Sequence, residues 1–550
     1  MSQLARIEPV RRRARNPLIL AVAICVLAGC GPKPAQRPPC AAGKVCLEFG
    51  NVAEPLTLDP NKSTGTVEHQ VIADQLVGLT QNSAAGLPVP GMATSWDVSP
   101  DGLTWTFHLR EAVWSDGVPV TADDFVFSLR RLLAPETAGE YASLVYFIRN
   151  AEAVNRGKAP GTALGARAVD AHTLELSLTH PAPYLPQLAA HTTMLPVPKH
   201  MVERYGDAWA RPEHYVSNGA FRIVGWKLGD HIRAVKNERF WDAANVCVDQ
   251  IDYYPTSDAV SAERRVKRGE LDLNADMQSN RIAFLRKTMP GYVRTHTYLG
   301  LGYLAFNSRV KAFQDERVRR ALAMSVDREF ITHKLLRGGQ EPAYTFVPAG
   351  VANYEPVAPP AWAALSFPQR QAEARRLLAQ AGYGPGHPLK FELKHRNSAD
   401  PMLVMPAIQA DWRAVGVEAT LVQNEGQIAY AAYRSRDFQV ADAAWVADYN
   451  DPMTFLYLMQ SSTGSQNYGD YRNAGFDALL AQADQEPDAH RRADMLARAE
   501  RIMLDDTAVI PTYFYVNKNL VSPRVTGWVD NISDYHPSRY LCLKADTARN

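Results

Sequence analysis

The sequence predicts a mixed α/β or α+β protein of several lobes, and three observations carry that reading. Beyond an N-terminal leader, about 520 residues remain, room for about three domains at roughly 100–200 residues each. Segments with the two-residue alternation of half-buried strands occur in the first part of the chain, and segments with helical spacing crowd the second. Apolar residues make up 46% of the chain, enough to fill several cores, and Tyr (23) and Trp (10) supply amphipathic rings suited to walling a ligand site.

Each element has its own warrant. Leu103-Thr104-Trp105-Thr106-Phe107-His108-Leu109-Arg110 alternates apolar with polar, and Thr173-Leu174-Glu175-Leu176-Ser177-Leu178 does the same; both read as strands. Lys44-Val45-Cys46-Leu47-Glu48-Phe49 reads as the strand that opens the folded body. Val318, Ala321, Leu322 and Val326 follow Asp315, an N-cap residue, at helical spacing. Ala374, Leu377, Leu378 and Ala381 form a second stripe, stopped by Gly382 at a C′ position. A third runs through Met495, Leu496, Ala499, Ile502 and Met503. No internal repeat interrupts this order.

The leader itself is informative. Arg11, Arg12, Arg13 and Arg15 precede the apolar run 17–28, which ends in Leu27-Ala28-Gly29-Cys30. A basic region, a short apolar core and small residues before a cysteine read as a bacterial lipoprotein signal over residues 1–29. The run is shorter than the roughly 20 residues a bilayer span needs. Cys30 is then the lipidated N-terminus, and residues 30–45, with four prolines between 31 and 44, form a tether reaching roughly 40 Å at about 3.1 Å per residue. The expected location is therefore periplasmic or otherwise extracytoplasmic, anchored to the membrane through Cys30. Residues 1–29 hold five Arg and one Glu, so their removal takes the formal charge from +1 to about −3, which gives no reason to expect nucleic acid as a partner. With Cys25 lost and Cys30 acylated, Cys40, Cys46, Cys247 and Cys542 remain. Two disulfides are expected, with three pairings open. A metal site is disfavoured because no C-x₂-C pair or His cluster accompanies these cysteines.

Enzyme signatures are missing. There is no G-x-S-x-G, no H-E-x-x-H and no P-loop. Ser308-Arg309-Val310-Lys311 matches S-x-x-K without its K-T-G or S-D-N companions, and reads as a solvated loop. Gly300-Leu301-Gly302-Tyr303-Leu304-Ala305 approximates a dinucleotide fingerprint but lacks the helix and acid that should follow. No catalytic residue, metal or cofactor is assigned. The segment that stands out is Trp445-Val446-Ala447-Asp448-Tyr449-Asn450-Asp451-Pro452. Asp451 has a structural reason, since Asp at an N-cap with Pro452 at N1 starts a helix over 453–459. Asp448 follows an apolar run and a Trp, where a carboxylate needs a cationic partner to stay ionised. That partner is either an internal Arg or Lys or a ligand ammonium.

The ordered motifs Glu54-Pro55-Leu56-Thr57-Leu58-Asp59-Pro60, Trp114-Ser115-Asp116-Gly117, Thr121-Ala122-Asp123-Asp124-Phe125, Ser217-Asn218-Gly219-Ala220-Phe221, Arg268-Gly269-Glu270-Leu271-Asp272 and Arg317-Val318-Arg319-Arg320-Ala321-Leu322, with segment 447–452, carry a resemblance. Over nearly everything after the tether the chain resembles the oligopeptide-binding proteins of bacterial ABC importers, the peptide/nickel class of extracellular solute-binding proteins. Asp116-Gly117 suits a turn on its own account, and Asp123 is placed to cap the next helix.

The resemblance implies an α/β fold of two lobes closing as a hinged jaw, with an extra domain. Lobe I would be 46–76, 199–299 and 516–543, the extra domain 77–198, and lobe III 300–515. It implies a monomeric, non-enzymatic receptor that delivers short peptides to an ABC permease and its ATPase subunits. Asp448 would meet the peptide α-ammonium, and Tyr141, Trp445 and Tyr515 would wall pockets. The extended backbone of residues 63–67, including Thr64, Gly65 and Thr66, would hydrogen-bond the peptide main chain, with Asn218 and Gly219 also at the ligand. Departures are equally specific. Asp442 and Tyr433 replace arginines that grip the peptide carboxylate in the best-studied pattern, with Arg434 and Arg436 adjacent. Gly426 replaces a pocket aromatic, a histidine site falls near Pro401, and the family's cysteine pair is replaced by Gly300 and Val446. The alternatives are the same fold serving a murein peptide, haem or a nickel chelate, and a serine acyl hydrolase on Ser308 and Lys311.

Overall fold

The structure is a computed structural model that describes residues 40–544 apart from Pro487. The leader and Cys30 with its expected lipid lie outside the described residues. An eleven-stranded mixed sheet runs through the molecule in the order Val417–Asn424, Leu389–Arg396, Val440–Val446, Val293–Phe306, Val509–Val521, Leu273–Asn274, Cys46–Gly50, Gln250–Tyr254, His231–Lys236, Phe221–Lys227, with Glu341–Pro342 added beside Val509–Val521. Cys46–Gly50 pairs in parallel with strands on both sides and is buried along its whole length. Parallel strands covered on both faces read this way.

The alternating segments become a separate four-stranded antiparallel sheet, Ala93–Val98, Thr104–Leu109, Thr173–Ser177 and Ala166–Asp170. Trp105, Phe107 and Leu109 point inward from one strand and Leu174 and Leu176 from the next, the faces expected from the two-residue period.

Helix signals hold with one correction. Asp315 accepts from the Arg317 N–H at the start of Glu316–Met324, and Gly382 closes Phe367–Gln380 at φ +90°. The helix Ala122–Leu133 is capped by Thr121 and Asp124 rather than by Asp123. Asp124 sits at N3 and its carboxylate accepts the Thr121 N–H at 2.9 Å, a capping box, which leaves Asp123 to pair with Lys199 at 2.6 Å. After Asp451-Pro452, Met453–Leu456 is α-helical and Tyr457–Met459 tightens to 3-10.

The two longest strands, Val293–Phe306 and Val509–Val521, run antiparallel and join the two ends of the sheet. Their register breaks twice: Gly302 faces Tyr513 while Tyr303 faces Pro511, and before that Thr297 faces Val516 and Leu301 faces Phe514, so Tyr298, Leu299 and Gly300 stand against Tyr515 alone. Extra residues on one strand bend it and re-aim side chains. Gly300 is paired with Val446 across the neighbouring strand, so the two positions that resemblance marked as a lost cysteine pair are true neighbours. A Cβ at Gly300 would lie 2.7 Å from the Tyr515 ring, so the site takes only glycine while Tyr515 lies over it.

Cys40 pairs with Cys46, and Cys247 with Cys542, which settles the open pairing. The first bond ties the end of the proline-rich segment to the opening strand, and the second ties the last strand back to residue 247. Among the described residues no helix is long and apolar enough to cross a membrane.

Segment 447–452 is held from three directions. The Ala447 N–H donates to Leu299 O at 2.8 Å, the Asn450 N–H to Gln187 Oε1 at 2.6 Å, and Asp451 takes Arg492 on both oxygens at 2.7 and 2.9 Å. Both members of that ion pair are nine-tenths buried. Arg492→Met removes the cation and leaves a buried carboxylate, so a loss of about 3–5 kcal/mol of unfolding free energy is expected from denaturant titration. A loss under about 1 kcal/mol would show that Asp451 reaches water.

Candidate functional site

Trp445 is the sixth residue of Val440–Val446, buried to 6%, and it lies beside Leu301 in the cross-strand register. Its ring faces Tyr141 in parallel at 6.4 Å. Tyr141 in turn stacks on His191 at 5.9 Å, and His191 on His69 at 5.6 Å. His69 belongs to the helix Thr66–Gln75, and its N–H donates to Gly65 O, which places the start of that helix at the site. Four distant stretches of chain therefore meet in one aromatic row.

Asp448 lies against this row. Its backbone N–H donates to the Thr454 hydroxyl at 3.1 Å, which fixes the direction of the side chain. The carboxylate is 10% exposed; Oδ1 stands 3.6 Å from His191 Nε2, and Oδ2 is buried without a hydrogen-bond partner. His191 Nδ1 accepts the Thr193 N–H, so the ring proton sits on Nε2 and points toward Asp448. Burial pushes the Asp448 carboxyl up to about 8, and holds His191 down to about 3 and His69 down to about 4. Neutral histidines cannot neutralise Asp448. Among the described residues, no Arg or Lys, the internal partner weighed from the sequence, forms an ion pair with Asp448.

The other expected residues divide. Thr64 and Gly65 are extended and half-buried, but Thr66 begins the helix and Val67 continues it, so the extended stretch ends at Gly65. Close packing sets that limit: a Cβ at Gly65 would meet Glu68 Oε2, while Glu68 Oε1 accepts the Leu56 N–H at 2.8 Å. Tyr515 is half-buried over Gly300, and burial pushes its hydroxyl up to about 12. Asn218 and Gly219 each bond to the protein's own backbone. Asn218 exchanges both side-chain bonds with the backbone of Val77 at 2.9 Å, and the Gly219 N–H donates to Gln75 O at 2.8 Å, which locks the end of the helix.

Sequence reasoning missed His69 and His191, because nothing local marks a lone histidine as facing a carboxylate far along the chain. It also missed Arg396. At the end of Leu389–Arg396, Arg396 grips Asp442 through Nε at 2.8 Å and Nη2 at 3.0 Å, and donates to the Tyr430 hydroxyl at 3.1 Å. Asp442, at the position of a family arginine, therefore carries a guanidinium of its own. Arg434 pairs with Glu140 at 3.4 Å and Arg436 with Asp470 at 3.3 Å, while Tyr433 is buried. Among the described residues no three His, Cys, Asp or Glu side chains converge as a metal site requires.

With this geometry in view, residues 88–467 match the family of bacterial extracellular solute-binding proteins, family 5. The periplasmic oligopeptide-binding protein OppA of Salmonella typhimurium is 38% identical over 89% of this chain and 92% of its own length. The periplasmic murein peptide-binding protein MppA of Escherichia coli is 37% identical over 89% of this chain and 91% of its own. The solved structure of Haemophilus influenzae OppA in complex with RPPGFSPFR superposes with a TM-score of 0.87 at 34% identity, covering 91% of this chain and 99% of that one. One structure of MppA superposes at 0.87 and its unliganded open form at 0.69, at the same 36% identity. A mixed α/β body of two lobes with a third domain, a matched span from 88 to 467 and relatives aligned along nearly their whole length lead to one conclusion: the chain belongs to the bacterial extracellular solute-binding proteins of family 5.

Proposed function

We propose that this protein is an extracytoplasmic receptor that captures short peptides by their free N-terminus and delivers them to an ABC permease, tethered to the membrane through a lipid on Cys30. One observation carries the peptide reading: a buried carboxylate, Asp448, with an unpartnered oxygen beside an aromatic row. Every unblocked peptide brings an ammonium that fits it. The backbone at 63–65 and the rings of Tyr141, Trp445 and Tyr515 then receive the peptide main chain and side chains. The lobes assigned at 46–76, 199–299 and 516–543 and at 300–515 change over within the two long strands, where the register breaks at Tyr298, Leu299 and Gly300 against Tyr515; this is our choice of hinge.

A binding rather than catalytic role has support on both sides. The relatives are named as binding proteins. Ser308, the one serine considered as a nucleophile, donates its hydroxyl to Asp470 O at 3.2 Å in the loop after Val293–Phe306.

The test of the anchor is calorimetric titration of the full chain with mixed tri- to hexapeptides and their N-acetylated twins. Free-amine peptides bind and acetylated ones do not, and Asp448→Asn weakens binding by about 2–5 kcal/mol, roughly 30-fold to several thousand-fold. Equal binding of both pools, or an unaffected Asp448→Asn variant, overturns the reading.

A proton is linked to the same step. Burial holds the Asp448 carboxyl at about 8 against an ordinary value of 3.8, so the protonated form favours the arrangement that buries it. That preference is fully present below about 4 and is lost as pH rises through about 8. A ligand ammonium displaces the proton. Titration at pH 7 in phosphate and in Tris should reveal proton release on peptide binding, absent from Asp448→Asn; equal enthalpies in both buffers would exclude it.

A further inference from the structure

A second group of polar side chains, separate from the row beside Asp448, gathers at Trp241 from three stretches of chain. Arg110 follows the strand Thr104–Leu109, Trp241 lies in the loop after His231–Lys236, and Arg539 sits in the short 3-10 turn Ser538–Tyr540. The Arg110 guanidinium lies over the Trp241 ring, 3.8 Å from its centre, and the Arg539 guanidinium stands 5.8 Å from the same centre. Arg539 also lies 4.4 Å from the Tyr540 ring, and its Nη2 donates to the Tyr540 hydroxyl. Arg110, Trp241 and Arg539 are all half-buried, so the group stays open to solvent.

The polar inventory is one-sided. Trp241 Nε1, Arg539 Nε and Arg539 Nη1 are buried and have no hydrogen-bond partner. Arg110 uses only its Nε, which donates to Gly91 O at 2.7 Å. Among the described residues neither arginine forms an ion pair, because the carboxylates at hand are held elsewhere. Asp74 lines a cavity together with Arg539, but it accepts the Ser538 N–H at 2.8 Å, the Ser538 hydroxyl at 2.6 Å and the Tyr253 hydroxyl at 2.7 Å. Asp242 accepts from Asn245 Nδ2 at 2.6 Å. Burial lowers the Arg110 guanidinium from its ordinary value; Asp242 opposes that shift and the charge of Arg539 adds to it. An indole face attracts a cation, but it offers no acceptor to N–H groups lying in the guanidinium plane. Every unpartnered atom here is a donor and both charges are positive, so the missing group is an anion with several acceptor atoms. A carboxylate brings one charge and two oxygens. A phosphate brings more acceptors, and the guanidinium fork matches it by two-point bonds.

We propose that Arg110, Trp241 and Arg539 form a phosphate-binding site separate from the peptide site. The inference does not depend on the peptide reading. The same chemistry has two sources: free phosphate or a monoester, and the phosphodiester of an anionic lipid headgroup. Placement connects the site with the tethered end of the chain. Arg539 lies just before Cys542, which is bonded to Cys247; Gln250, shortly after Cys247, pairs with Cys46, and Cys46 is bonded to Cys40 at the end of the proline-rich segment. The competing reading is that the two arginines only brace Trp241. It predicts no preference for phosphate over another anion.

The experiment is calorimetric titration of the full chain at pH 7 and constant ionic strength with inorganic phosphate, with chloride, and with glycerophosphoglycerol as the headgroup diester. Phosphate binds at least about tenfold tighter than chloride, and Arg110→Gln and Arg539→Gln each weaken it about tenfold. Trp241→Phe keeps the ring, loses the N–H and weakens phosphate by a smaller factor. A diester that binds as tightly as phosphate supports the site with a lipid headgroup as its source; a diester that binds far more weakly supports it with free phosphate or a monoester. Unfolding midpoints in chloride alone show which variants fold. Where Arg539→Gln does not, Arg110→Gln carries the same expectation, and the parent's preference for phosphate needs no variant. No preference for phosphate over chloride, or a phosphate affinity unchanged in the arginine variants that fold, overturns the site and leaves the bracing role.

Discussion

The antiparallel ladder between Val293–Phe306 and Val509–Val521 is the constraint on which the rest depends. These strands join the half of the sheet that begins at Val440–Val446 to the half that contains Cys46–Gly50. Where their register slips, three residues face Tyr515, and each has a consequence. Gly300 makes room for the Tyr515 ring. Leu299 accepts the Ala447 N–H and so holds the start of the Asp448 loop. Tyr298 is buried there, and burial raises its hydroxyl above the ordinary value. A bend in one ladder thus sets the site from below.

Three buried carboxylates are matched by arginines. Asp451 with Arg492, Asp442 with Arg396 and Asp252 with Arg233 are each held by two bonds to a guanidinium. Such pairs satisfy both members, and planar two-point contacts define direction as well as charge. Asp448 has no such partner among the described residues. Its nearest basic groups are histidines whose burial keeps them neutral, and an uncompensated carboxylate in a dry setting rises toward protonation.

The relocated charges make a related point. The resemblance placed an arginine at 442, and the chain has an aspartate there, but a guanidinium still occupies the region, delivered by Arg396 from the neighbouring strand. Because it comes already matched, it differs from a free arginine in what it offers a ligand. The cysteines show the same economy. The pair absent at Gly300 and Val446 would have stiffened the strand junction. The bonds that exist, Cys40–Cys46 and Cys247–Cys542, tie the chain ends instead.

By itself the sequence determined the local structure. The two-residue alternation at 104–109 and 173–177, the cap at Asp315, the stop at Gly382 and the Pro452 helix start all depend on neighbours within a few residues, and all recur in the fold. It also marked Asp448 as a carboxylate without a local reason. Tertiary structure decided what that carboxylate meets: His191 from 257 positions upstream, neutral and 3.6 Å away, with no Arg or Lys paired to it among the described residues. It decided that Asn218 and Gly219 brace a helix end, that Thr66 is helical, that Thr121 and Asp124 form the cap, and which cysteines pair. Those outcomes turn on contacts between residues far apart in the chain, and a hydrogen-bonding group is equally able to serve a ligand or a neighbouring strand until the fold brings one of them within reach.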